Sequence, residues 1–362
     1  MCGICGIIDF QEQPSPDVVD NMTRALVHRG PDTGATHFFR QCVLGHRRLS
    51  IIDLSDAAKQ PMVSEDGTAA LVFNGEIYNF PVLRTRLEGL GHRFRTRSDT
   101  EVILRLYLEK QESLLDDLNG MFSFALWDGR EGRLILARDR VGKKPLYYCL
   151  RRGKLSFSSE LSSLIEDPSV PRELSRQALF EYFLYDFIPA PHTIFRDVYK
   201  LPAAHMAVFD SGGFRLRRYW EPPESEGSLD FKEQAGALEE LLTDAVQMRL
   251  VSDVPLGAFL SGGLDSTLVT SLMRRDGSDP VQTFNISFPN TSHDESKWAA
   301  MAASWLKTDH REYPVRYEVE NILGRLVRHF GEPFADSSAI PTWHLCRETR
   351  RHVTVALSGD GG

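Results

Sequence analysis

The spacing of hydrophobic and polar residues divides the chain into two parts with different rhythms. In residues 1–210, short apolar or alternating runs predict strands. These runs are Ala69–Asn74, which Gly75 should stop, Met121–Trp127, Arg133–Ala137 and Lys154–Ser158. Asp128-Gly129 predicts a hairpin turn, and helical spacing predicts helices at Val82–Leu90 and Thr100–Leu108. Hairpin strands with helices between them favour an α+β layered domain.

The second part alternates strands and helices. Its predicted elements are helix Phe231–Leu250, strand Val254–Leu260, helix Ser266–Met273, strand Val281–Phe288, helix Glu295–Leu306, strand His310–Val315, helices Val319–Phe330 and Ser338–Arg350, and strand Val353–Leu357. Short apolar strands separated by helices indicate an α/β domain with a parallel sheet. Turn-forming residues fill much of the segment 211–230. We therefore predict domains at 1–210 and 231–362, joined by a linker at 211–230.

Composition excludes several classes of protein. The chain is 42% hydrophobic and 25% charged, with a net charge of −8 and no block of lysine or arginine, so a nucleic-acid partner is not expected. No apolar run approaches the roughly 18 residues of a membrane span, and no basic start precedes an apolar stretch as in a secretory signal. Five scattered cysteines do not suggest a disulfide framework. These features predict a reduced, cytoplasmic protein without a membrane partner.

The position of Cys2 is the strongest chemical signal. Initiator methionine is normally removed before a small residue, which would leave a cysteine with a free α-amine. That amine has a pKa of about 7.7–8.0 and can carry the proton of a thiol whose own pKa is about 8.5. The alternatives are a buried small residue, or a redox or zinc pair with Cys5. Since the sequence contains no second pair with ligand spacing, we favour a terminal nucleophile.

A glycine-rich turn, Leu260–Ser266, lies between a predicted strand and helix. Such a turn lets the backbone approach an anion, and the helix start adds free N–H groups. It lacks the Gly-Lys-Ser/Thr ending of a P-loop and the Gly-x-Gly-x-x-Gly of a dinucleotide site. Asp265 could hold magnesium on a phosphate or simply cap the helix. Ser358–Asp360 follows the last strand, so both loops should face one site at the carboxyl edge of the sheet.

With these residues in view, the chain resembles the glutamine-hydrolysing asparagine synthetases of the bacterial type B. The amino-terminal Cys2-Gly3-Ile4 is similar to that of the class II glutamine amidotransferases. The other motifs that carry the resemblance are His28–Asp32, Gly45–Ile51, Asn74–Asn79, Ser98–Glu101 and Ser261–Ser266. The resemblance implies an αββα N-terminal-nucleophile hydrolase sandwich, followed by an α/β parallel-sheet domain of the ATP-pyrophosphatase type.

For the first domain the resemblance implies hydrolysis of glutamine. Cys2 would attack the side-chain amide and release ammonia through a thioester, while Asn74 and the N–H of Gly75 hold the oxyanion. Arg48 would pair with the substrate carboxylate and Asp99, with Glu76, would hold its ammonium. The pocket would also be lined by Leu49, Ser50, Ile51 and Ile52. Taken singly, Arg48 and Asp99 could be surface residues, and Asn74-Gly75 an ordinary turn.

For the second domain the resemblance implies ATP and magnesium. The family adenylates the side-chain carboxylate of aspartate and releases pyrophosphate, after which ammonia displaces AMP. The implied ATP-binding residues are Leu260, Ser261, Gly262, Gly263, Asp265, Ser266, Ile286, Ser358 and Gly359, and Asp265 would also bind magnesium. Asp360 stands where many members carry a glutamate that helps to form the intermediate.

The chain departs from the family at its end, because relatives continue with a region that supplies a lysine. Neither Leu260–Ser266 nor Leu357–Gly362 contains a lysine or arginine. We therefore expect a fragment whose 362 residues hydrolyse glutamine but make little or no asparagine. The alternatives are a relative that amidates another carboxylate and a nucleotide-binding relative without synthetase activity. The oligomeric state stays open, with a homodimer as one option.

Overall fold

The computed structural model describes residues 1–224, 230–275, 279–288, 294–315 and 319–360. Its backbone contacts divide the chain into two compact units. The first contains residues 1–223 together with 325–335, and the second contains residues 224–324 and 336–362.

The first unit contains two six-stranded sheets, and every pair of neighbouring strands in them is antiparallel. The strands are β1 (Gly3–Asp9), β2 (Thr33–Phe38), β3 (Cys42–Arg48), β4 (Met62–Val63), β5 (Ala69–Ile77), β6 (Gly120–Asp128), β7 (Arg133–Arg138), β8 (Tyr147–Arg151), β9 (Lys154–Ser158), β10 (Tyr199–Lys200), β11 (His205–Asp210) and β12 (Gly213–Arg218). The first sheet has the order β10-β8-β9-β1-β3-β2, and the second has the order β12-β11-β7-β6-β5-β4.

Helices cover the outer face of each sheet. The helices of this unit are α1 (Pro16–Ala25), α2 (Phe80–Gly89), α3 (Asp99–Lys110), α4 (Leu114–Asp117), α5 (Leu161–Leu164) and α6 (Arg176–Tyr185), of which α6 packs instead on Ile188 and Ile194. Along β1, Ile4 and Ile8 join the core between the sheets, whereas Cys5 and Ile7 pack against the side of α1 and α5. On the second sheet, Phe73 of β5 packs on the side of α2 and α3. Alternate residues of one strand thus fill two cores, and the expected αββα sandwich is confirmed.

Two local predictions need correction. Gly75 does not stop β5, because it continues the ladder opposite Phe122 and the strand runs on to Ile77. The linker prediction is wrong for residues 213–218, which form β12 and pair with β11 through a turn at 211–212. A double glycine there permits a tight hairpin rather than a domain connection. Residues 225–229 of the predicted linker lie outside the described residues. The hairpin of β6 and β7 is confirmed.

The second unit is built on a parallel four-stranded sheet, as predicted, with the order β15-β14-β13-β16. Its strands are β13 (Leu256–Phe259), β14 (Gln282–Ser287), β15 (Asp309–Pro314) and β16 (Val355–Leu357). The helices of this part of the sequence are α7 (Phe231–Met248), α8 (Leu264–Arg275), α9 (Ser296–Leu306), α10 (Val319–Phe330) and α11 (Ala339–Thr349). Val246 of α7 and Leu272 of α8 pack against Ala258 of β13. No helix in the described ranges is long and apolar enough to cross a membrane.

Candidate active site

Cys2 directly precedes β1, whose neighbours in the first sheet are β3 and β9. The backbone of Leu49, just after β3, contacts the thiol from two sides. The Leu49 N–H donates to Sγ over 3.4 Å, and the thiol donates to the Leu49 carbonyl oxygen over 3.6 Å. Burial raises the pKa of the Cys2 thiol, while the Leu49 contact, the amino terminus and Arg48 act in the opposite direction. The thiol therefore depends on nearby positive groups to ionise.

An ion-pair network fixes the main chain of Cys2. Arg29 Nε donates to the Cys2 carbonyl oxygen over 2.8 Å, and its Nη1 lies 2.8 Å from Glu160 Oε1. His28 Nε2 lies 2.9 Å from the other carboxylate oxygen of Glu160. Arg29 and Glu160 are both buried. The network holds the Cys2 carbonyl group in place, which gives His28 and Arg29 of the motif His28–Asp32 a structural role.

Asn74 and Gly75 lie next to each other on β5 of the second sheet. Asn74 is 0% exposed, and neither its Oδ1 nor its Nδ2 has a hydrogen-bond partner among the described residues. A buried polar atom without a partner costs about 1–3 kcal/mol, so a fully orphaned amide calls for an explanation such as a ligand. A Cβ on Gly75 would lie 2.2 Å from the Met121 carbonyl oxygen, so this position admits only glycine. These two groups can offer adjacent N–H donors to one oxygen.

Arg48 ends β3, and its guanidinium contacts the loop that follows. Nη1 donates to the Ser55 carbonyl over 2.9 Å, and Nη2 donates to the Asp53 carbonyl. The Asp53 carboxylate in turn accepts from the N–H groups of Ser55 and Arg97 over 3.0 and 2.7 Å. The structure thus places Arg48 on main-chain oxygens of residues 53–55, where it shapes the segment Leu49–Ile52. A direct contact with a substrate carboxylate stays a prediction.

Asp99 begins α3 behind a Ser98 cap whose hydroxyl accepts from the Thr100 N–H over 3.1 Å. Its Oδ2 accepts from the Ile77 N–H over 3.0 Å, which ties the carboxylate to the end of β5. Burial raises the pKa of Asp99 to about 6, against the N–H donors that lower it. The Asp99 charge also acts on the Cys2 thiol, and Glu76 is buried two residues after Asn74. Both carboxylates of the predicted anionic pair are therefore buried in the first unit, and that of Asp99 lies near the Cys2 thiol.

Two further charged residues of this site escaped the sequence analysis. Glu160 follows the end of β9, and Lys144 lies in the loop before β8. Both are buried. Neither belongs to a periodic pattern or to a recognised motif, since each is brought to Cys2 by sheet register rather than by sequence spacing. A buried lysine in the charged run Arg138–Lys144 has no sequence signal that distinguishes it from exposed neighbours.

In the second unit, the turn after β13 is tightly built. Gly262 has φ +81°, and a Cβ there would lie 2.3 Å from the Trp298 carbonyl carbon. The hydroxyl groups of Ser261 and Ser266 are 3.0 Å apart, and the Gly263 N–H donates to Ser261 Oγ over 3.2 Å. The loop thus places small side chains and backbone N–H groups at the start of α8, which is the arrangement that accommodates phosphates.

The two glycine-rich loops of the second unit meet, as the sequence predicted. A Cβ on Gly359 would lie 2.7 Å from the Ser266 amide nitrogen and 3.0 Å from Asp265 Cβ. Asp265 and Asp360 are exposed, and Asp360 accepts from Ser358 Oγ over 3.1 Å. Leu260 is buried against α9, and Ile286 belongs to the adjacent strand β14. The predicted residues therefore collect at the carboxyl edge of three neighbouring strands.

The two units, an antiparallel αββα sandwich and an α/β domain with a parallel sheet, each match a family model. The family model for the glutamine amidotransferase domain matches residues 1–220, and the model for asparagine synthase matches residues 237–362. A Methanocaldococcus jannaschii protein, provisionally named asparagine synthetase [glutamine-hydrolyzing] 2, is 36% identical over all of this chain and 74% of its own length. The chain belongs to the family of glutamine-hydrolysing asparagine synthetases.

Other relatives are longer than this chain. Asparagine synthetase [glutamine-hydrolyzing] 1 of Bacillus subtilis is 35% identical over the whole chain, which spans 58% of that relative. Among solved structures, the glutamine phosphoribosylpyrophosphate amidotransferase of B. subtilis matches with a TM-score of 0.47 and 14% identity, covering 89% of this chain and 70% of that one.

Proposed function

We propose that the protein is a glutamine-dependent asparagine synthetase that releases ammonia from glutamine at Cys2 and transfers it to aspartate activated with ATP. The observation that carries the first half of the proposal is Asn74. Its side-chain amide is wholly buried, lacks a partner among the described residues and lies beside Gly75. An oxyanion is the ligand that such a donor pair would stabilise best.

The proposed hydrolysis uses the processed amino terminus. The α-amine takes the proton of the Cys2 thiol, and the sulfur forms a bond to the amide carbon of glutamine. The electron pair of the carbonyl moves to its oxygen, which Asn74 Nδ2 and the Gly75 N–H hold. The pair returns as the C–N bond breaks, and the nitrogen leaves as ammonia with a proton from the α-amine. Water then hydrolyses the thioester, giving glutamate and the free thiol.

Charges around the site suggest how glutamine is oriented. We place the substrate ammonium at Asp99 and Glu76, whose buried carboxylates gain from a cationic partner. The substrate carboxylate then lies towards Arg48 and the backbone of Leu49–Ile52. Because the Arg48 guanidinium already binds two carbonyl oxygens, it must share or exchange one of these contacts when it pairs with the carboxylate.

The second unit is proposed to bind ATP with magnesium. The turn Ser261–Ser266 and Gly359 would receive the phosphates, with Leu260 and Ile286 towards the nucleotide. Magnesium is normally held by one or two carboxylates together with phosphate oxygens, and the exposed Asp265, packed beside Gly359, fits that requirement. The ion would neutralise phosphate charge during formation of the aspartyl adenylate. We include Asp360, the acidic residue of the second loop, in that step.

The test of the first half is glutamate formation by the purified chain. Cys2→Ala should abolish it, whereas Cys346→Ser, which changes an exposed cysteine of the second unit, should leave it intact. Ammonia release by Cys2→Ala at the rate of the parent would refute the nucleophile assignment.

The acceptor requires a separate test. Because relatives are longer than this chain, pyrophosphate release is best measured on protein made from the whole reading frame, with ATP, magnesium and either aspartate or other carboxylates. Aspartate-dependent release supports the proposal. If pyrophosphate is released with another carboxylate but not with aspartate, that carboxylate is the acceptor. If none of the carboxylates gives pyrophosphate, a nucleotide-binding relative without synthetase activity is favoured.

A further inference from the structure

The loop between β7 and β8 holds Lys144 in a fixed orientation. The carboxylate of Asp139 accepts from the N–H groups of Val141, Lys143 and Lys144 over 3.2, 2.9 and 3.0 Å. From the other side, Arg138 Nε donates to the Lys144 carbonyl oxygen over 2.7 Å. These contacts fix the backbone of Lys144, and its side chain is buried.

The ammonium of Lys144 lacks the partner that a buried charge needs. The residue is 5% exposed, and lysines this buried are normally paired with an anion. Here Nζ lies 2.9 Å from Met1 Sδ, and it forms no ion pair with a carboxylate within the described part of the chain. A thioether is a weak acceptor, and Met1 is the residue whose removal the proposed chemistry requires. Removal of Met1 would leave this ammonium without that contact, beside the space that the Met1 side chain occupies.

The charges around Lys144 and Cys2 belong to one cluster. Lys144 interacts with Arg29, Glu76, Asp139 and the Cys2 thiol, and burial lowers its pKa to about 8, so it is a cation at neutral pH. Cys2 in turn interacts with the amino terminus, Asp99 and Arg48. The guanidinium groups of Arg29 and Arg48 are already bound to Glu160 and to loop carbonyls respectively. The α-amine must be neutral before it can accept the thiol proton. Of these cations, Lys144 is the one whose charged group makes no hydrogen bond to an oxygen atom among the described residues. Its interactions with Glu76 and Asp139 raise its pKa but form no ion pair.

We propose that Lys144 is a further catalytic residue of the glutaminase site, whose ammonium lies against Cys2 in the processed chain and stabilises the thiolate that attacks glutamine. The inference rests on the proposed role of Cys2 as nucleophile. No proton leaves Lys144 in this step, because its contribution is the positive charge itself. A cation beside a thiol favours the thiolate, and a low local dielectric strengthens that effect.

Alkylation of Cys2 by iodoacetamide tests the inference without requiring turnover. The experiment uses a Cys346→Ser background, since Cys346 is exposed while Cys5, Cys42 and Cys149 are buried. Intact mass confirms loss of Met1 in each variant. Lys144→Met, which keeps the length but removes the charge, should raise the pKa of the thiol by about 1 and slow alkylation at pH 7 about tenfold. Lys144→Arg should keep most of the rate, and Lys143→Met, a change at the exposed neighbour, should not alter it.

The pH profile separates charge from structure. The difference between Lys144→Met and the parent should shrink above about pH 8, where Lys144 loses its proton. An unchanged profile in a folded, processed Lys144→Met variant would overturn the inference, as would a deficit of equal size at every pH. If Lys144→Met fails to fold, Lys144→Gln provides the same comparison. If the parent chain has no glutaminase activity, the proposed function is refuted. The alkylation profiles would still decide whether Lys144 acts on Cys2.

Discussion

Replacing Asn74 by alanine should slow glutamine hydrolysis far more than it destabilises the fold. Removal of one oxyanion donor costs about 2.7–4 kcal/mol of transition-state stabilisation, or about 10²–10³ in kcat. The effect on stability combines two opposing contributions. Deleting two buried polar atoms without partners relieves about 1–3 kcal/mol for each, while the cavity left behind costs a similar amount. We therefore expect the free energy of unfolding to change by no more than about 1 kcal/mol.

The assay pairs glutamate formation at saturating glutamine with urea denaturation of the same preparation. Asn79→Ala is the matched control, because the Asn79 amide is satisfied on both sides. Its Nδ2 donates to the Asp117 carbonyl over 2.8 Å, and its Oδ1 accepts from the Asn119 N–H over 3.0 Å. Loss of two hydrogen bonds worth about 0.5–1.5 kcal/mol each should lower stability by about 1–3 kcal/mol, with little effect on kcat.

The two variants should thus show opposite signatures. If Asn74→Ala lost several kcal/mol of stability while keeping its kcat, the orphaned amide would be a structural group. The assignment of the oxyanion site would then be wrong.

Three further predictions concern the same two sites. Gly75→Ala should lower kcat about 100-fold or more and destabilise the fold by about 1–3 kcal/mol, because its Cβ would lie 2.2 Å from the Met121 carbonyl oxygen; a fully active variant would exclude the backbone donor. The KM for glutamine should rise as the pH falls through about 6, since protonation of Asp99 removes the anion that binds the substrate ammonium. Asp99→Asn should have a high KM without that pH dependence, and a parent KM that is flat from pH 5 to 7 would argue against this role. Gly359→Ala should weaken ATP binding about tenfold or more in calorimetry, because its Cβ would lie 2.7 Å from the Ser266 amide nitrogen, and glutaminase activity should stay unchanged. If the variant bound ATP as tightly as the parent, the nucleotide site would lie elsewhere.

The elements that sequence could predict are those that bury apolar faces. The hairpin of β6 and β7, and the alternating strands and helices of the second unit, carry strong hydrophobic patterns. The edge strands β2 and β12 do not, because most of their residues are exposed or half-buried. Such strands are stabilised mainly by backbone pairing with a neighbour, which leaves little signal in the residue pattern. For that reason residues 213–218 were expected in a linker.

The residues of the candidate site also fall into those that the sequence predicts and those that only the fold brings together. Cys2, Asn74, Gly75 and Asp99 occur in short motifs whose residue types suggest chemistry by themselves. The contact between Lys144 and Met1 joins residues 143 positions apart, so only the register of the strands between them brings the two side chains together. Nor could the sequence indicate that the guanidinium of Arg48 binds the carbonyl oxygens of its own loop, because that depends on the path of the backbone.

The central claim is that the mature chain begins with a nucleophilic Cys2. It is tested most directly by treating the protein with a reactive glutamine analogue, 6-diazo-5-oxo-norleucine, and locating the adduct by peptide mass spectrometry. The account predicts a chain without Met1, one adduct on the terminal cysteine, and loss of glutaminase activity in proportion to labelling. Full inactivation with the adduct on another residue, or full activity in protein that retains Met1, would contradict it.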